Sequence, residues 1–439
     1  MSILFEHVTA VTMDPAAPVL HDAFVLVEGT AIAQVGQTRP QGQFDRVVDC
    51  TGKVMMPGLI NAHTHLPMTL MRGYGGGHDL QHWLNDYIFP AEDKLDSASV
   101  QAGTQLALAE LIAGGVTCVA DMYYFCPDIA QAVADSGISA NISRSVTCFA
   151  PVDDPENYYA CRELRELEEQ WNGFDHGRIR VDASVHAEYT SFSAPNMWEY
   201  LGRYAADHKL GMQVHLSETR SEHLECMARH GGKTPFAVLD DYGVWQSGGL
   251  AAHCVWVSQD DMEGMVRRGV TAVHNPVSNL KLASGVAPVP RLLQAGVNVA
   301  LGTDGVASNN SHDMFEEIKL AALLHKGVSR DPTAVSARQA LAMATVNGAK
   351  ALGRNTGCIA PGRDADLILL DFTHPGLTPC HDPEENLVYS AHGSDVVMNM
   401  ARGKIIYKDG TFLTLDLEKI QAEVKSYALP RLFGDGKTW

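Results

Sequence analysis

The stretch NAHTHLPMTL, residues 61–70, places two histidines two positions apart, directly after the apolar segment KVMMPGLI of residues 53–60. Side chains at positions i and i+2 of a β-strand point to the same side. His63 and His65 can therefore converge on one point if the strand continues through them. Two converging neutral imidazoles suit a bound metal ion. Because a lone His-x-His triplet is common, the other ligands must come from elsewhere in the chain.

The middle of the chain alternates short apolar segments with helical patterns, which indicates a parallel sheet in an α/β protein. Eight such units favour a closed, TIM-like (β/α)8 barrel over an open doubly wound sheet, and we predict it for residues 58–359. The absence of a Gly-x-Gly-x-x-Gly turn after the first strand supports the barrel. The eight strand-like segments are PGLINAHTH, GVTCVADM, ISANISRSVT, IRVDASVHA, MQVHLSE, GLAAHCVWV, VTAVHNP and VNVALGTD.

The two ends of the chain have a different pattern. Short β-branched runs separated by Gly, Pro and Asp occupy the first 57 residues, and similar runs such as ADLILLDF and GKIIYKDGTFLT occur near the end. The KDG triplet of the second run is typical of a hairpin turn. We predict that residues 1–57 and 360–439 together form one small β-sandwich domain that supports the barrel.

The composition excludes several classes of function. There are 33 Lys and Arg residues against 52 Asp and Glu residues, which gives a net charge of −19. Such a protein repels nucleic-acid phosphates and anionic membranes, so we expect neither as a partner. The nine cysteines include no Cys-x-x-Cys, which argues against a disulfide framework or a thiolate zinc site. Without a signal-like N-terminus or a run of about 18 apolar residues, the expected location is cytoplasmic.

Polar side chains recur where the predicted barrel strands end. Six of the eight strands end in a histidine or an aspartate, and this end of a barrel forms its active site. Taken singly, each histidine could be hydrogen-bonded in the core, and Asp304 could cap the following helix. The regular placement of the whole set indicates a shared site. Its members are His63, His65, His186, His215, His253, His274 and Asp304.

Three imidazoles and one carboxylate from this set suit one divalent metal ion. We predict that His63, His65, His215 and Asp304 bind it, with zinc as the first choice and iron(II) or manganese(II) as alternatives. Such an ion lowers the pKa of a bound water towards neutral. A second ion usually needs a bridging anion, and RIRVDASVHAEYT, residues 178–190, contains no lysine that could be carbamylated.

Glu218 and His253 are the predicted proton-handling residues. Glu218 follows the ligand His215 by three positions, within reach of a bound water and a substrate nitrogen. A glutamate beside a metal, but not bound to it, suits general acid–base catalysis. The alternative for Glu218 is an ion pair with Arg220 or a place at a helix start. His253 would orient the nucleophile, and Asp304 would accept its proton.

These motifs together resemble the amidohydrolase superfamily over nearly the whole chain. The narrower likeness is to the S-adenosylhomocysteine/5′-methylthioadenosine deaminases, close to the chlorohydrolase-like group, and it rests mainly on HNPVSNLKLASG and WLNDYIFPAED. The other motifs that carry the resemblance are PGLINAHTH, VHLSET, AHC, GTDGVASNN and GCIAPGRDADLILLD.

The resemblance also implies substrate-binding residues. Glu92 would hold the ribose hydroxyls, and Trp83 would pack against the 5′ substituent. Arg144 and His186 would contact the purine or the sugar, while Glu218 would both contact the substrate and act in catalysis. From the residues alone, Trp83 could equally be a core residue and Glu92 a surface residue.

The function that the resemblance implies is hydrolytic deamination of a 6-aminopurine nucleoside. The loop APVDDPENYYACRELR, residues 150–165, departs from the expected pattern because it is acidic at its start and its arginines come late. This favours 5′-methylthioadenosine, adenosine or 5′-deoxyadenosine over S-adenosylhomocysteine. The alternatives are deamination or dechlorination of a free heterocycle (guanine, cytosine, a pterin or an s-triazine) and a non-catalytic binding scaffold. The glycine-rich loop of residues 73–82 is a candidate lid, and a homo-oligomer is left open.

Overall fold

The structure is a computed structural model that describes residues 1–434, and it contains two sheets. The strands, in chain order, are β1 (Ser2–Val11), β2 (Val19–Glu28), β3 (Ala31–Gly36), β4 (Arg46–Asp49), β5 (Lys53–Pro57), β6 (Leu59–Thr64), β7 (Val116–Tyr123), β8 (Ser139–Arg144), β9 (Ile179–Ser184), β10 (Met212–Leu216), β11 (Gly249–His253), β12 (Val270–His274), β13 (Val299–Leu301), β14 (Leu367–Asp371), β15 (Val396–Ala401), β16 (Lys404–Lys408) and β17 (Thr411–Phe412).

Most helices lie between the strands of the second sheet. They are α1 (Leu80–Trp83), α2 (Phe89–Glu92), α3 (Ser97–Ala113), α4 (Cys126–Ser136), α5 (Tyr159–Trp171), α6 (Phe174–Gly177), α7 (Pro195–His208), α8 (Arg220–Arg229), α9 (Pro235–Asp241), α10 (Gln259–Arg268), α11 (Pro276–Lys281), α12 (Val289–Ala295), α13 (Val306–Asn309), α14 (Met314–Ser329), α15 (Ala337–Met343), α16 (Val346–Ala351), α17 (Pro383–Tyr389), α18 (Leu417–Glu423) and α19 (Leu429–Phe433). No helix within residues 1–434 is long and apolar enough to cross a bilayer.

The eight strands β6–β13 form the barrel. Each pairs in parallel with the next along the chain, and the ring closes where the amide of Asp304 donates to the carbonyl of His63 at 2.9 Å. Nearly every residue in these strands is buried, as expected for a parallel sheet covered by helices. Below the site the interior is filled by small apolar side chains, among them Ile60, Ala62, Cys118, Ala120, Val273 and Ala300. The predicted barrel is therefore confirmed.

The two ends of the chain build the other sheet. Its strand order is β17-β16-β15-β14-β5-β1-β2-β3, with β4 paired to β1, so both ends contribute neighbouring strands. A separate apolar cluster that includes Phe5, Val25, Met55 and Leu369 fills one of its faces. The sheet contributed by both ends agrees with the predicted fold class.

The last described part of the chain is helical. α18, a wide helical turn over Val424–Ala428 and α19 pack against α3 and α2 of the barrel. Lys94 donates to the carbonyl of Leu432 at 3.0 Å, and Arg431 pairs with Asp96 at 2.8 Å. The domain limits 1–57, 58–359 and 360–439 stay a prediction, and residues 435–439 lie outside the described part of the chain.

Candidate metal centre and active site

Four side chains from the ends of three strands converge at the carboxyl end of the barrel. His63 and His65 lie on and just after β6, His215 lies on β10, and Asp304 follows β13. The Nε2 atom of His65 lies 3.2 Å from His215 Nε2 and 3.2 Å from Asp304 Oδ1, and His63 Nε2 lies 3.5 Å from the same oxygen. All four residues are buried. The structure therefore brings the four predicted ligands together.

Backbone carbonyls orient two of these imidazoles. The Nδ1 atom of His65 lies 2.6 Å from the carbonyl oxygen of Met122, and Nδ1 of His215 lies 2.8 Å from that of His186. Carbonyls accept hydrogen bonds, so both Nδ1 atoms carry protons and both Nε2 atoms face inward. His63 Nε2 is buried with no hydrogen-bond partner in residues 1–434. If the three imidazoles are neutral, their Nε2 atoms direct lone pairs at one another. A cation between these atoms therefore fits the site.

Electrostatics at the centre also favour a cation. Burial lowers the pKa of His63 to about 4. Burial opposes protonation of His65 as well, but its hydrogen bond to Asp304 raises the pKa of His65 to about 9. Although burial alone would raise the pKa of Asp304, the imidazoles of His63 and His65, which face its Oδ1, hold that pKa well below its ordinary value. Metal binding would therefore displace a proton from His65.

His253 lies close enough to be an alternative ligand. The ligand atoms of His63, His215, His253 and Asp304 all lie within 4.8 Å of one another. However, His253 Nδ1 lies 2.9 Å from Asn279 Oδ1, and its Nε2 lies 3.8 Å from Glu218 Oε2. The Nε2 atom of His253 therefore faces Glu218, which agrees with a role for His253 beside the metal and not as its ligand.

Glu218 is buried beside the cluster, in the turn between β10 and α8. The neighbouring capping residue Glu222 accepts the backbone N–H of Glu218 at 2.7 Å, which fixes this turn. Burial raises the pKa of the Glu218 carboxyl, while the charge of His253 opposes this increase. A carboxyl that holds its proton above the ordinary range suits proton donation. Glu218 does not form the alternative ion pair with Arg220.

One segment after β12 positions all the catalytic candidates. Ser284 donates to Glu218 Oε1 at 3.3 Å, and Asn279 holds His253 as described. These residues belong to HNPVSNLKLASG, whose role sequence reasoning left unassigned. Their partners lie 66 and 26 residues away along the chain, so no local pattern could identify them.

The same segment positions Asp304. Ser278 Oγ, on α11, donates to Asp304 Oδ2 at 2.7 Å, and Ser308 donates to the same oxygen at 2.9 Å. The other carboxylate oxygen, Oδ1, faces His63 and His65. The two hydroxyls therefore aim one defined oxygen of Asp304 at the histidines.

Ser278→Ala should weaken metal binding about 10- to 100-fold, because Asp304 loses one of its two orienting hydroxyls. Competition with a chelator of known affinity measures the change. Ser329→Ala, an exposed serine on α14, is the matched control and should have no effect. Equal affinities for wild type and Ser278→Ala would refute the positioning role.

An inner cavity of about 50 Å³ lies over the cluster. Trp83, Glu92, His186 and Glu218 line it, and Trp83 is buried. Tyr123, which sequence reasoning missed, donates from its hydroxyl to Glu92 at 2.6 Å. Ligand sites usually enclose about 300–1,000 Å³. This cavity is therefore smaller than a nucleoside needs. Leu80, which belongs to the glycine-rich loop, lies on its wall, and the lid role of that loop stays a prediction.

Arg144 is the one predicted substrate contact that does not line the inner cavity. It lines a larger outer cavity of about 580 Å³, and Glu92 lies on the wall of both. Contact between Arg144 and the purine or the sugar therefore stays a prediction.

Comparison with known proteins agrees with this geometry. A 5′-deoxyadenosine deaminase from Methanosarcina mazei is 43% identical over 429 residues, 97% of each chain. A 5-methylthioadenosine/S-adenosylhomocysteine deaminase from Thermoanaerobacter pseudethanolicus is 40% identical over 98% of this chain and 99% of its own. The crystal structure of an adenosine deaminase from Xanthomonas campestris with bound zinc matches with a TM-score of 0.91 and 34% identity, covering 96% of this chain and 97% of that one. The profile of the amidohydrolase family matches residues 54–406, and the chain belongs to that family.

Proposed function

We propose that this protein catalyses hydrolytic deamination of 6-aminopurine nucleosides, which yields ammonia and the hypoxanthine nucleoside. The observation that carries the proposal is the buried cluster of His63, His65, His215 and Asp304 with Glu218 and His253 directly beside it. The names of the similar deaminases support an adenosine-type substrate.

His63, His65, His215 and Asp304 would hold one divalent ion. Zinc is our first choice because nitrogen and carboxylate donors suit it and because a similar structure contains it, with iron(II) and manganese(II) as alternatives. When bound, the ion lowers the pKa of water towards neutral. It therefore supplies a nucleophile at physiological pH.

The side chains divide the proton transfers between them. Glu218 gives its proton to the ring nitrogen next to C6, so that the ring can accept electrons as water adds to C6. Asp304 accepts a proton from that water. His253, held through Nδ1 by Asn279, keeps the attacking oxygen in line. Asp304 then gives its proton to the amino group, and the C6–N bond breaks to release ammonia. The proton of the C6 hydroxyl passes to Glu218, which leaves a carbonyl at C6 and restores both side chains.

Zinc-loaded protein assayed with adenosine, 5′-methylthioadenosine, 5′-deoxyadenosine and S-adenosylhomocysteine tests the proposal. Deamination shifts the ultraviolet absorbance from that of adenine to that of hypoxanthine and releases ammonia. Turnover of any of the four supports the proposal. If metal-bound protein turns over none of the four, the proposal is contradicted. Guanine, cytosine, pterins and s-triazines would then be assayed.

Glu92→Gln should raise KM for adenosine-type nucleosides about tenfold or more, because a neutral amide accepts weaker hydrogen bonds from ribose hydroxyls than a carboxylate does. Steady-state kinetics measures the effect. Asp86→Asn, an exposed change in the same segment, is the control. An unchanged KM would remove the main support for a ribose-bearing substrate, since a free base has no diol to hold.

Glu92 should also make substrate binding depend on pH. Burial raises the pKa of its carboxyl to about 7, while the Tyr123 hydrogen bond opposes this increase. Acidification below pH 7 then protonates Glu92 and should raise KM in the wild type. The KM of Glu92→Gln should lack this rise.

A further inference from the structure

The outer cavity adjoins the inner cavity. Phe89, Glu92 and Tyr124 line both the inner and the outer cavity, whereas the catalytic candidates line only the inner one. A nucleoside with its base at the metal centre and its ribose at Glu92 would therefore direct its 5′ substituent into the outer cavity. Trp83 lines only the inner cavity, so in this placement it would not pack against the 5′ substituent as the resemblance implies. At about 580 Å³, the outer cavity is far larger than a methylthio group needs.

Arg144 is the only cation among the residues that line the outer cavity in the described part of the chain. It is 5% exposed at the end of β8, and its guanidinium carbon lies 5.0 Å from the ring centre of Tyr124 and 5.6 Å from that of Tyr159. Its Nε donates to Glu163, and its Nη1 donates to the backbone carbonyl of Ser145. Its Nη2 has no hydrogen-bond partner within residues 1–434.

These contacts restrict how Arg144 could bind a substrate carboxylate through two nitrogens. A guanidinium binds a carboxylate in that way through adjacent nitrogens, either Nε with Nη2 or Nη1 with Nη2. Glu163 occupies Nε, so the edge formed by Nε and Nη2 is blocked. Nη1 gives one of its two N–H groups to Ser145, so the edge formed by Nη1 and Nη2 is only partly engaged. The charge of Arg144 is also compensated by Glu163.

The other ionisable carboxyls of the outer cavity reinforce this effect. Asp93, Asp128 and Glu166 line it together with Glu92 and Glu163, against the single charge of Arg144. This arrangement of charges repels a carboxylate on the substrate and attracts an ammonium group on the substrate.

We propose that the outer cavity receives the 5′ substituent of the nucleoside and that Glu163, by occupying Arg144, selects neutral or amine-bearing substituents over carboxylate-bearing ones. The inference rests on the proposed deaminase function. It names Glu163 as the residue that determines this specificity, and it defines the substrate class as nucleosides whose 5′ extension lacks a carboxylate.

The test compares two substrates that differ by one carboxylate. S-adenosylhomocysteine carries an amine and a carboxylate, whereas 5′-(3-aminopropylthio)-5′-deoxyadenosine carries the amine alone. The wild type should prefer the amine-only compound by about tenfold or more in kcat/KM. Glu163→Gln keeps the shape but removes the charge, and should shift this ratio about tenfold towards S-adenosylhomocysteine.

The design separates the inference from the proposed function. A ratio measured on one preparation does not depend on the fraction of active protein, and the Glu163 side chain is 49% exposed, so the substitution suits the fold. Glu169→Gln, an exposed change on the same helix outside the cavity, should leave the ratio at the wild-type value. Turnover of 5′-methylthioadenosine with a ratio unaltered by Glu163→Gln would overturn the inference alone. If the wild type turned over no nucleoside, both the inference and the proposed function would be overturned.

Discussion

Glu218→Gln is expected to lower kcat for 5′-methylthioadenosine by about a thousandfold, while the metal content stays at the wild-type level. The glutamine keeps the size of the side chain and its contact with Ser284, but it has no carboxyl proton to give to the purine ring. Steady-state kinetics together with metal analysis of the same sample measures both quantities. The result would assign Glu218 to proton transfer and not to metal binding.

The control for this experiment lies on the adjoining helix. Glu225 on α8 is exposed, and among residues 1–434 its one ion pair is with Arg229, so Glu225→Gln should leave kcat unchanged. If Glu218→Gln lost its metal, Glu218 would be a ligand and the assigned site would be wrong. If it kept near-wild-type kcat, another group would supply the proton.

The second large effect should separate His65 from His253, which both lie within reach of the metal position. His65→Ala is expected to lose nearly all bound metal and with it all activity. His253→Ala should keep the metal and lower kcat about a thousandfold. The reason is orientation: Nε2 of His65 faces His215 and Asp304, whereas Nε2 of His253 faces Glu218.

Metal analysis after dialysis against chelator-treated buffer, followed by kinetics, distinguishes these two roles. His208→Ala, which replaces an exposed histidine on α7, should change neither quantity. The reverse outcome, with metal lost from His253→Ala and kept by His65→Ala, would replace His65 by His253 in the ligand set. Circular dichroism of each variant checks that the fold is retained.

Much of this architecture follows from periodicity in the sequence. The alternation of strand and helix patterns predicts eight parallel strands, and in a barrel all their carboxyl ends meet at one face. A histidine or aspartate at a strand end must then lie at that face. This explains why His63, His215 and Asp304 could be grouped although 241 positions separate the first from the last.

Other features could not be derived in this way. Both His65 and His274 occur at strand ends, yet His65 faces the cluster while Nε2 of His274 lies 3.4 Å from that of His325. The hydrogen bond of Ser278 to Asp304 depends on how a short helix turns after its strand. Arg144 pairs with Glu163 on the wall of a separate cavity, and no pattern in the sequence indicates that pairing. Such details arise from side-chain packing, which periodicity does not encode.

The measurement that tests the central claim most directly follows oxygen from solvent into product. Zinc-loaded protein would be incubated with 5′-methylthioadenosine in water labelled with oxygen-18, and the nucleoside product analysed by mass spectrometry with parallel ammonia assay. The account predicts an intact hypoxanthine nucleoside with one labelled oxygen on the purine ring and an equal amount of ammonia. An unlabelled nucleoside, or release of free adenine with no ammonia, would contradict hydrolysis at C6.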